Sequence, residues 1–425
     1  MLDIKLFREN PDIVRKDLKK RKYADKLNLI DEVIKADSQW RKELIKRDKL
    51  KNLRNVESKK IAGIKGKKEK EKKIREMQEN NKKIQEVDGK CAALEKIVID
   101  LLSKIPNLMD ESVPYGKDDS ENIEIKKWGK KAEFGFKPLS HQELCEKNDW
   151  YDVVRGAKVA GARNYFLKND LARLQFALFS YALDFLKKKG FSLMIPPYMA
   201  YDKCFFGTGY LPEGKEDLYE ISGQGMSLIG TSEVPITSYY MNETLNENDL
   251  PKKFCGYSAC FRTEAGSHGK DEKGIFRVHQ FDKIEMVILC APEKSKEMHE
   301  FLLKNAEEFW QSLGMHYRVV NICTGDLGIV ASKKYDIEAW FPGQDKYREV
   351  VSCSNFKDYQ SRRLNIKLRE KEGMPPKNFL HTLNSTLVTN TRCLIAIIEN
   401  FQTKEGKVLI PKALQPYMNC KKLLE

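Results

Sequence analysis

Apolar residues recur at alternating steps of three and four through the N-terminal quarter of the chain. One such series is Ile84, Val87, Cys91, Leu94, Val98, Leu101 and Ile105. The same steps run through Ile30, Val33, Asp37, Trp40 and Leu44. Because this is the spacing of a coiled-coil seam, it predicts two long helices, with Asp37 as a polar member of the seam. Glycines interrupt the pattern within residues 61–70, which predicts a turn near residues 61–68 and an antiparallel helical hairpin.

Beyond Pro106 the pattern changes to short strands and separate helices. Proline cannot continue a helix, so Pro106 ends the second long one, and residues 107–165 form a mixed connector. The segments that follow predict helices at 171–189, 293–313 and 386–401 and strands at 191–199, 316–323 and 347–353. Strands and helices in separate runs are typical of an α+β fold with an antiparallel sheet. We therefore expect two domains, residues 1–106 and residues 107–425.

Residues 254–289 contain two apolar, β-rich runs on either side of a polar segment, residues 265–274. This arrangement predicts a β-hairpin with a long mobile loop. Since side chains alternate faces along a strand, Arg262 and Glu264 share one face of the first run. The matching face of the second run carries Arg277, His279, Phe281, Lys283 and Glu285. Arginines bind phosphate oxygens and an aromatic ring can stack on a purine, so this face predicts a nucleotide site. The alternative is a solvated sheet face crossed by ion pairs.

The chain of 425 residues has a formal net charge of +14, and most of the surplus lies in the predicted hairpin. Residues 41–83 contain 18 Lys or Arg against 7 Asp or Glu. Such a concentration of positive charge on a projecting arm favours contact with a phosphate backbone. The alternative is an ordinary solvated helix face.

Several classes of site are disfavoured by what the sequence lacks. The ten cysteines include no CxxC pair, so neither a zinc site nor a disulfide framework is expected. The sequence has no GxxxxGK[ST] loop and no GxGxxG fingerprint, so a nucleotide would need another scaffold. No apolar run reaches the roughly 18 residues that cross a membrane, and no signal peptide fits the N-terminus. We therefore expect a cytoplasmic protein with no membrane partner.

Three further polar groups interrupt apolar segments. Residues 230–233 (GTSE) form either a ligand-binding turn or the N-cap of a helix. Glu349 and Ser352 close a predicted strand, where a carboxylate and a hydroxyl can hold Mg²⁺, although an ordinary strand end would look the same. Arg392 lies in an apolar helix, where its charge is costly unless it is paired or faces a ligand.

In their order along the chain, these segments resemble the three motifs of the class II aminoacyl-tRNA synthetases. Motif 1 resembles the helix ending at Gly190 with FSLMIPPYM, motif 2 resembles CFRTEAGSHGKDEKGIFRVHQFDKIE, and motif 3 resembles STLVTNTRCLIAIIEN. Residues 207–221, the TSE turn, residues 349–363 and the helical arm are similar to the seryl-tRNA synthetase family in particular. The motif 3 segment has threonines where the family usually has glycines, which resembles the eukaryotic cytosolic type.

The resemblance implies a site for ATP and Mg²⁺. The implied ATP-binding residues are Arg262, Thr263, Glu264, Arg277, Val278, Phe281, Glu349, Val350, Val351, Ser352 and Arg392. Arg262 and Arg392 would be the catalytic residues, the first at the α-phosphate and the serine carboxylate, the second at the γ-phosphate. Arg277 would steady the β- and γ-phosphates, and Phe281 would stack on the adenine. Glu264 would meet the adenine amino group. Glu349 and Ser352 would hold Mg²⁺ on the ATP phosphates, and no zinc is expected.

The resemblance also implies a serine pocket and a tRNA partner. The implied pocket is Thr231, Ser232, Glu233, Arg262, Glu285, Asn384 and Thr386. Asn384 and Thr386 stay open as alternatives for one contact with serine. The first domain would be a tRNA-binding arm, and the second a class II synthetase catalytic domain. Such an enzyme activates L-serine to seryl-adenylate with ATP. It then transfers the seryl group to tRNA(Ser), and to tRNA(Sec) where that is present. It works as a homodimer that contacts the long variable arm and acceptor end of the tRNA.

Two alternatives remain open. One is a synthetase-like paralogue that binds RNA without charging it, which the retained arginines, Glu264, Phe281 and Glu285 disfavour. The other is a class II synthetase for a different amino acid, which the helical arm and the TSE turn disfavour.

Overall fold

The computed structural model describes residues 1–61, 63–265 and 274–424. The chain divides into two compact units, Met1–Leu108 and Met109–Glu425, which are described separately. The loop predicted within residues 265–274 lies almost wholly outside the described residues. No helix among the described residues is long and apolar enough to span a membrane.

The first unit is a helical hairpin preceded by two short helices. Its helices are α1 Ile4–Glu9, α2 Pro11–Lys20, α3 Leu27–Ile61 and α4 Lys67–Ser103. Contacts across the hairpin show that α3 and α4 run antiparallel: Lys51 pairs with Asp88 at 2.9 Å, whereas Glu57, further along α3, pairs at 3.3 Å with Lys73, nearer the start of α4. The predicted hairpin and the turn between its helices are therefore confirmed.

The polar member of the seam, Asp37, is buried and ion-paired. Its side chain is 1% exposed, and both oxygens accept from Arg8, at 2.6 and 2.9 Å. Arg41, one turn further along α3, donates to the same carboxylate at 2.9 Å. Burial opposes ionisation, but the hydrogen bonds and charges of the two arginines lower the pKa of Asp37 below its ordinary value. The carboxylate thereby ties α1 to α3.

The second unit is built on an antiparallel sheet with helices packed against it. Its helices are α5 His141–Asn148, α6 Val153–Ala160, α7 Asn169–Lys188, α8 Asp202–Thr208, α9 Glu233–Thr237, α10 Ser295–Ser312, α11 Tyr359–Leu364 and α12 Asn390–Asn400. Its strands are β1 Ile123–Trp128, β2 Tyr151–Asp152, β3 Phe166–Leu167, β4 Ser192–Met194, β5 Met199–Tyr201, β6 Glu220–Ile221, β7 Met226–Leu228, β8 Thr244–Asn246, β9 Lys252–Phe261, β10 Gln280–Cys290, β11 Tyr317–Asn321, β12 Lys333–Phe341, β13 Lys346–Lys357, β14 Lys367–Arg369, β15 Asn378–Phe379, β16 His381–Thr389, β17 Val408–Leu409 and β18 Leu423–Leu424.

The main sheet has eight strands in the order β1-β11-β12-β13-β16-β10-β9-β4. Neighbouring strands are antiparallel except β4, which runs parallel to β9. One face of β10, with Ile284, Met286 and Ile288, packs into the core that α7, α10 and α12 share. It is the face opposite the one that carries Lys283 and Glu285, as the alternation along the sequence requires, so the α+β architecture and the orientation of β10 are confirmed.

Three predicted elements differ from the structure. The last helix was expected to begin at Thr386, but β16 extends through Thr389 and α12 begins at Asn390. The β-branched residues here pair with β10, and this ladder outweighs the local helical pattern. The strand expected to carry Arg277 begins only at Gln280. The single strand expected at 191–199 is two strands, since Pro196 and Pro197 separate β4 from β5.

The Asp37 pair gives a prediction for stability. Replacing Asp37 with Asn leaves the arginines without their charged partner, so we expect the free energy of unfolding to fall by about 2–3 kcal/mol at neutral pH. Because the folded-state pKa of Asp37 is lowered, its contribution is present above the unfolded pKa and is lost as the pH falls towards the folded one. Urea unfolding of the full chain, followed by circular dichroism, should therefore show the difference shrinking below about pH 4.

The matched control for this prediction is Asp48→Asn. Asp48 also pairs with an arginine of α3, but its side chain is 65% exposed. A surface pair of this kind contributes about 0.5 kcal/mol or less. Equal effects of the two substitutions would contradict a special role for the buried pair.

Candidate active site

A cavity of about 500 Å³ lies over the middle strands of the main sheet. The predicted site residues that line it are Arg262, Glu264, Arg277, Val278, Phe281, Glu349, Val350, Ser352, Arg392, Glu233, Glu285, Asn384 and Thr386. Four predicted residues are outside this lining: Thr231, Ser232, Thr263 and Val351. The segments that the sequence singled out separately are therefore brought to one site.

Strand register explains how distant residues meet in the cavity. Glu285 of β10 lies opposite Thr386 of β16 on one side and opposite Gly256 of β9 on the other. Lys283, two residues earlier and on the same face, lies opposite Thr389. The pairing of three strands thus places residues from three parts of the chain side by side.

Three arginines line the part of the cavity that contains Glu264, Phe281 and Glu349, called here the arginine end. The Arg262 guanidinium lies 5.2 Å from the centre of the Phe281 ring, and its Nε donates to the Gly230 carbonyl at 3.3 Å. Arg277 pairs with Glu264 at 2.7 Å. Such a set of planar cations suits an anionic ligand with several oxygens.

The third arginine, Arg392, adjoins a carboxylate at the same end. Its Nη1 donates to the Glu349 carbonyl at 2.8 Å and lies 3.4 Å from the carboxylate of that residue. Partial removal from water would raise the pKa of Glu349, but the charges of Arg392, Lys334 and Arg262 lower it below its ordinary value. The carboxylate is therefore ionised at neutral pH. The described residues contain no group of three or more His, Cys, Asp or Glu able to hold a metal.

The other end of the cavity is a buried hydrogen-bond network around Glu285. Its Oε2 accepts from the Ser232 hydroxyl at 3.2 Å and from the backbone N–H of Glu233 at 3.1 Å. The Lys283 ammonium lies 3.0 Å from the same oxygen, and the Thr231 hydroxyl also donates to it. These donors compensate the cost of burying the charge.

A second carboxylate, Glu233, is tied to the same network. The Asn384 amide nitrogen bridges the two acids, at 2.6 Å from Glu233 and 2.9 Å from Glu285. Glu233 also accepts from Tyr210 at 3.1 Å and from Gln360 at 2.6 Å. Burial, followed by repulsion from Glu285, raises the pKa of Glu233 to about 7.

A glycine lets the TSE turn approach the sheet closely enough to form this network. A Cβ on Gly256 would lie 2.3 Å from Ile236 and 2.7 Å from the Ser232 hydroxyl, so no side chain fits there. Ser232 is at the N-cap position of α9 but makes no side-chain capping bond, because its hydroxyl donates to Glu285 instead. Of the two interpretations of the TSE turn, the geometry favours a site component over a simple cap.

Sequence reasoning missed some residues of this network. Lys283 was placed on the correct strand face but was not counted as a site residue. Tyr210 and Gln360 lie in segments that were recognised only as motifs, and nothing local indicates that they reach Glu233. Conversely, the Thr263 hydroxyl donates to the Glu216 carbonyl, and Val351 packs in the apolar core. Their assignment to ATP binding stays a prediction.

Comparisons with known proteins agree with this geometry. Residues 1–109 match the family model described as seryl-tRNA synthetase N-terminal domain, and residues 219–401 match tRNA synthetase class II core domain (G, H, P, S and T). The chain is 46% identical over 420 residues to a serine–tRNA ligase of Methanocella arvoryzae, covering 99% of both chains. The structure is similar to seryl-tRNA synthetase from Pyrococcus horikoshii complexed with ATP, with a TM-score of 0.91 and 42% identity over 100% of this chain and 99% of that one.

A further solved structure is cytoplasmic serine–tRNA ligase from Naegleria fowleri in complex with AMP, with a TM-score of 0.86 and 39% identity over 100% of this chain and 99% of that one. The curated relatives at 42–47% identity are archaeal or bacterial, so the expected assignment to the eukaryotic cytosolic type is not supported. The full-length identity and the matched arm and core together decide the family. The chain belongs to the seryl-tRNA synthetases, the class II serine–tRNA ligases.

Proposed function

We propose that the two ends of the cavity divide the first half-reaction of serine–tRNA ligation between them. The arginine end takes ATP, and the network around Glu285 takes L-serine. The observation that carries this proposal is that one cavity joins three arginines to a buried acidic network. A nucleoside triphosphate needs cations, and an amino acid with a free ammonium and a hydroxyl needs acceptors.

The arginine end fits the triphosphate and its base. Arg262 reaches the α-phosphate, Arg277 steadies the outer phosphates, and Arg392 binds the γ-phosphate. Phe281 offers its ring to the adenine, and Glu264 accepts from the adenine amino group. The ion pair between Glu264 and Arg277 keeps both side chains at the cavity wall. Because they are already ordered, ATP binding costs less side-chain conformational entropy.

The residues next to Arg392 fit a magnesium ion carried in with ATP. The Glu349 carboxylate is ionised, and Ser352 lines the same cavity, so two hard oxygen donors are available. Mg²⁺ held there would neutralise charge on the phosphates. Its remaining ligands would be phosphate oxygens and water, as is usual for this ion.

The serine end of the cavity, the network around Glu285, contains both charged groups and hydrogen-bond partners for an amino acid. Two carboxylates, Glu233 and Glu285, lie near one lysine, Lys283, so an incoming α-ammonium would favour the ionised form of Glu233 and complete the balance of charge. Asn384 is already engaged with both acids, whereas Thr386 lines the cavity opposite Glu285. Of the two open alternatives, we therefore assign the contact with the serine hydroxyl to Thr386 and a supporting role to Asn384. Alanine would leave these polar groups unpaired, which can give about 10⁴–10⁵-fold discrimination.

No protein nucleophile is needed for the reaction. The serine carboxylate attacks the α-phosphorus, the bond to the β-phosphate oxygen breaks, and pyrophosphate leaves. A hydroxyl of the terminal ribose of tRNA then attacks the seryl carbonyl and releases AMP. The chain contributes positioning and electrostatic stabilisation, chiefly through Arg262, which can reach both reacting groups.

The helical arm is the proposed contact for the long variable arm of tRNA(Ser). Its basic segment, residues 41–83, presents mostly exposed lysines on α3 and α4. Charging of tRNA(Sec) stays a prediction, as does a cytoplasmic location.

We also propose a homodimer formed through the motif 1 segment. Phe176 on α7, Leu193 on β4 and Ile195 just after it expose 54–69% of their surface. Three large apolar side chains exposed within one motif segment favour an interaction site.

The first test is ATP–pyrophosphate exchange with each of the twenty amino acids in turn. We expect exchange with serine and less than about 10⁻³ of that rate with alanine or threonine. Folded protein that binds ATP but exchanges with no amino acid would favour the non-charging paralogue. Exchange with a different amino acid would identify another specificity.

Arg262→Ala should reduce serine-dependent exchange by about 10³-fold, because the developing charge at the α-phosphate loses its main cation. The matched control is Arg155→Ala, since the Arg155 side chain is 78% exposed and lies on α6, outside the cavity lining. The control should exchange at the wild-type rate. Near-normal exchange in Arg262→Ala, with the fold intact by circular dichroism, would refute the assignment of this cavity end.

Shortening the arm should separate the two half-reactions. Leu50 and Asn80 are hydrogen-bonded across the hairpin, so a short Gly/Ser turn can replace residues 51–79 between them. We expect pyrophosphate exchange within about twofold of wild type and a loss of about 10²-fold in kcat/KM for charging tRNA(Ser). Unchanged charging by the shortened chain would show that the distal arm does not contact tRNA.

A further inference from the structure

Phe276 is an aromatic residue of the cavity to which no role in ATP or serine binding has been given. It lines the cavity directly before Arg277 and is 5% exposed. A phenylalanine side chain has no charge and no hydrogen-bond donor with which to bind an anionic ligand. Its position among the arginines therefore needs another explanation.

The ring contacts two guanidinium groups. The Arg348 Cζ lies 3.8 Å from the ring centre, and the Arg392 Cζ lies 5.0 Å from it. Both distances are within the range in which a cation is attracted by the negative face of an aromatic ring. Arg392 also donates to the Glu349 carbonyl at 2.8 Å. Arg348 donates to the Gln344 side chain at 2.8 Å.

The ring itself is held from behind. Phe341, the fully buried last residue of β12, meets it edge to face with ring centres 5.6 Å apart and planes at 78°. Ile275, the preceding residue, is also fully buried. Phe276 is therefore a fixed surface against which mobile arginine side chains can settle.

We propose that Phe276 is a positioning residue for ATP binding: its ring holds the Arg392 guanidinium, together with that of Arg348, at the phosphate end of the cavity. Two like charges close together repel, and attraction of both guanidinium groups to one ring offsets part of that repulsion while leaving the N–H groups of Arg392 available to phosphate oxygens. The same arrangement recurs at Arg262, which lies over Phe281. The proposal rests on the phosphate-binding role proposed for Arg392.

The test compares Phe276→Leu and Phe276→Met, which remove the ring, with Phe276→Tyr, which keeps it. In pyrophosphate exchange by the full chain, we expect the KM for ATP to rise about tenfold in the first two variants. The KM for serine should stay within about twofold, since that end of the cavity does not contact the ring. Phe276→Tyr should stay within about threefold of wild type for both substrates.

Phe341→Leu is the matched packing control, because it disturbs the same aromatic pair without removing the ring from the arginines. It should lower the unfolding temperature and raise the KM for ATP by about threefold or less, because the ring loses part of its support but stays beside the arginines. An unchanged KM for ATP in Phe276→Leu, or an equal rise in Phe341→Leu, would overturn the positioning role. Arg392→Ala separates this failure from a failure of the proposed function: normal exchange by Arg392→Ala would show that the phosphate-binding role proposed for Arg392 is itself wrong.

Discussion

Glu285 is a carboxylate removed from water in the middle of a sheet, and the surrounding structure satisfies its charge. Its oxygens accept from side chains on β10, β16 and the TSE turn, so three separate segments must be in register for the charge to be tolerated. Leaving a buried charge without partners costs several kcal/mol, which makes any misplacement of these segments unfavourable. The side chains that satisfy the buried Glu285 carboxylate also line a pocket of a size and polarity suited to a small polar ligand.

At the arginine end of the cavity, the cations are held in place without being fully neutralised. Arg262 and Arg392 must stay available to a ligand, so neither can be neutralised by a full set of protein acceptors. Instead each lies over an aromatic ring and donates to one backbone carbonyl. These contacts orient a guanidinium without using all its donors, because it has five N–H groups. One cavity thus contains a buried anion whose hydrogen bonds are satisfied and two arginines with free N–H groups, and this contrast is the basis for the proposed binding of serine and ATP side by side.

Much of this arrangement is predictable from periodicity. The seam of the arm and the two faces of β10 follow from steps of seven and of two, which reflect backbone geometry and need no tertiary information. The prediction was wrong at Thr386, where a threonine-rich segment was assigned to a helix. Its pairing with β10 is a long-range contact, and local pattern carries no information about it. Asp37 shows the same limit: the sequence marks it as a polar residue in a seam but does not reveal its partner Arg8.

The sequence by itself determined which side chains share a strand face, where charge accumulates along the arm, and which family the ordered motifs resemble. Only the tertiary structure decided which of these side chains meet. Gly256 is unremarkable in sequence, yet its missing side chain allows the TSE turn to reach Glu285. Lys283, Tyr210 and Gln360 join the network because strand register and helix packing bring them there. The local periodicity determines which face of its helix or strand a side chain lies on. Its contacts with distant segments depend on how the whole chain folds.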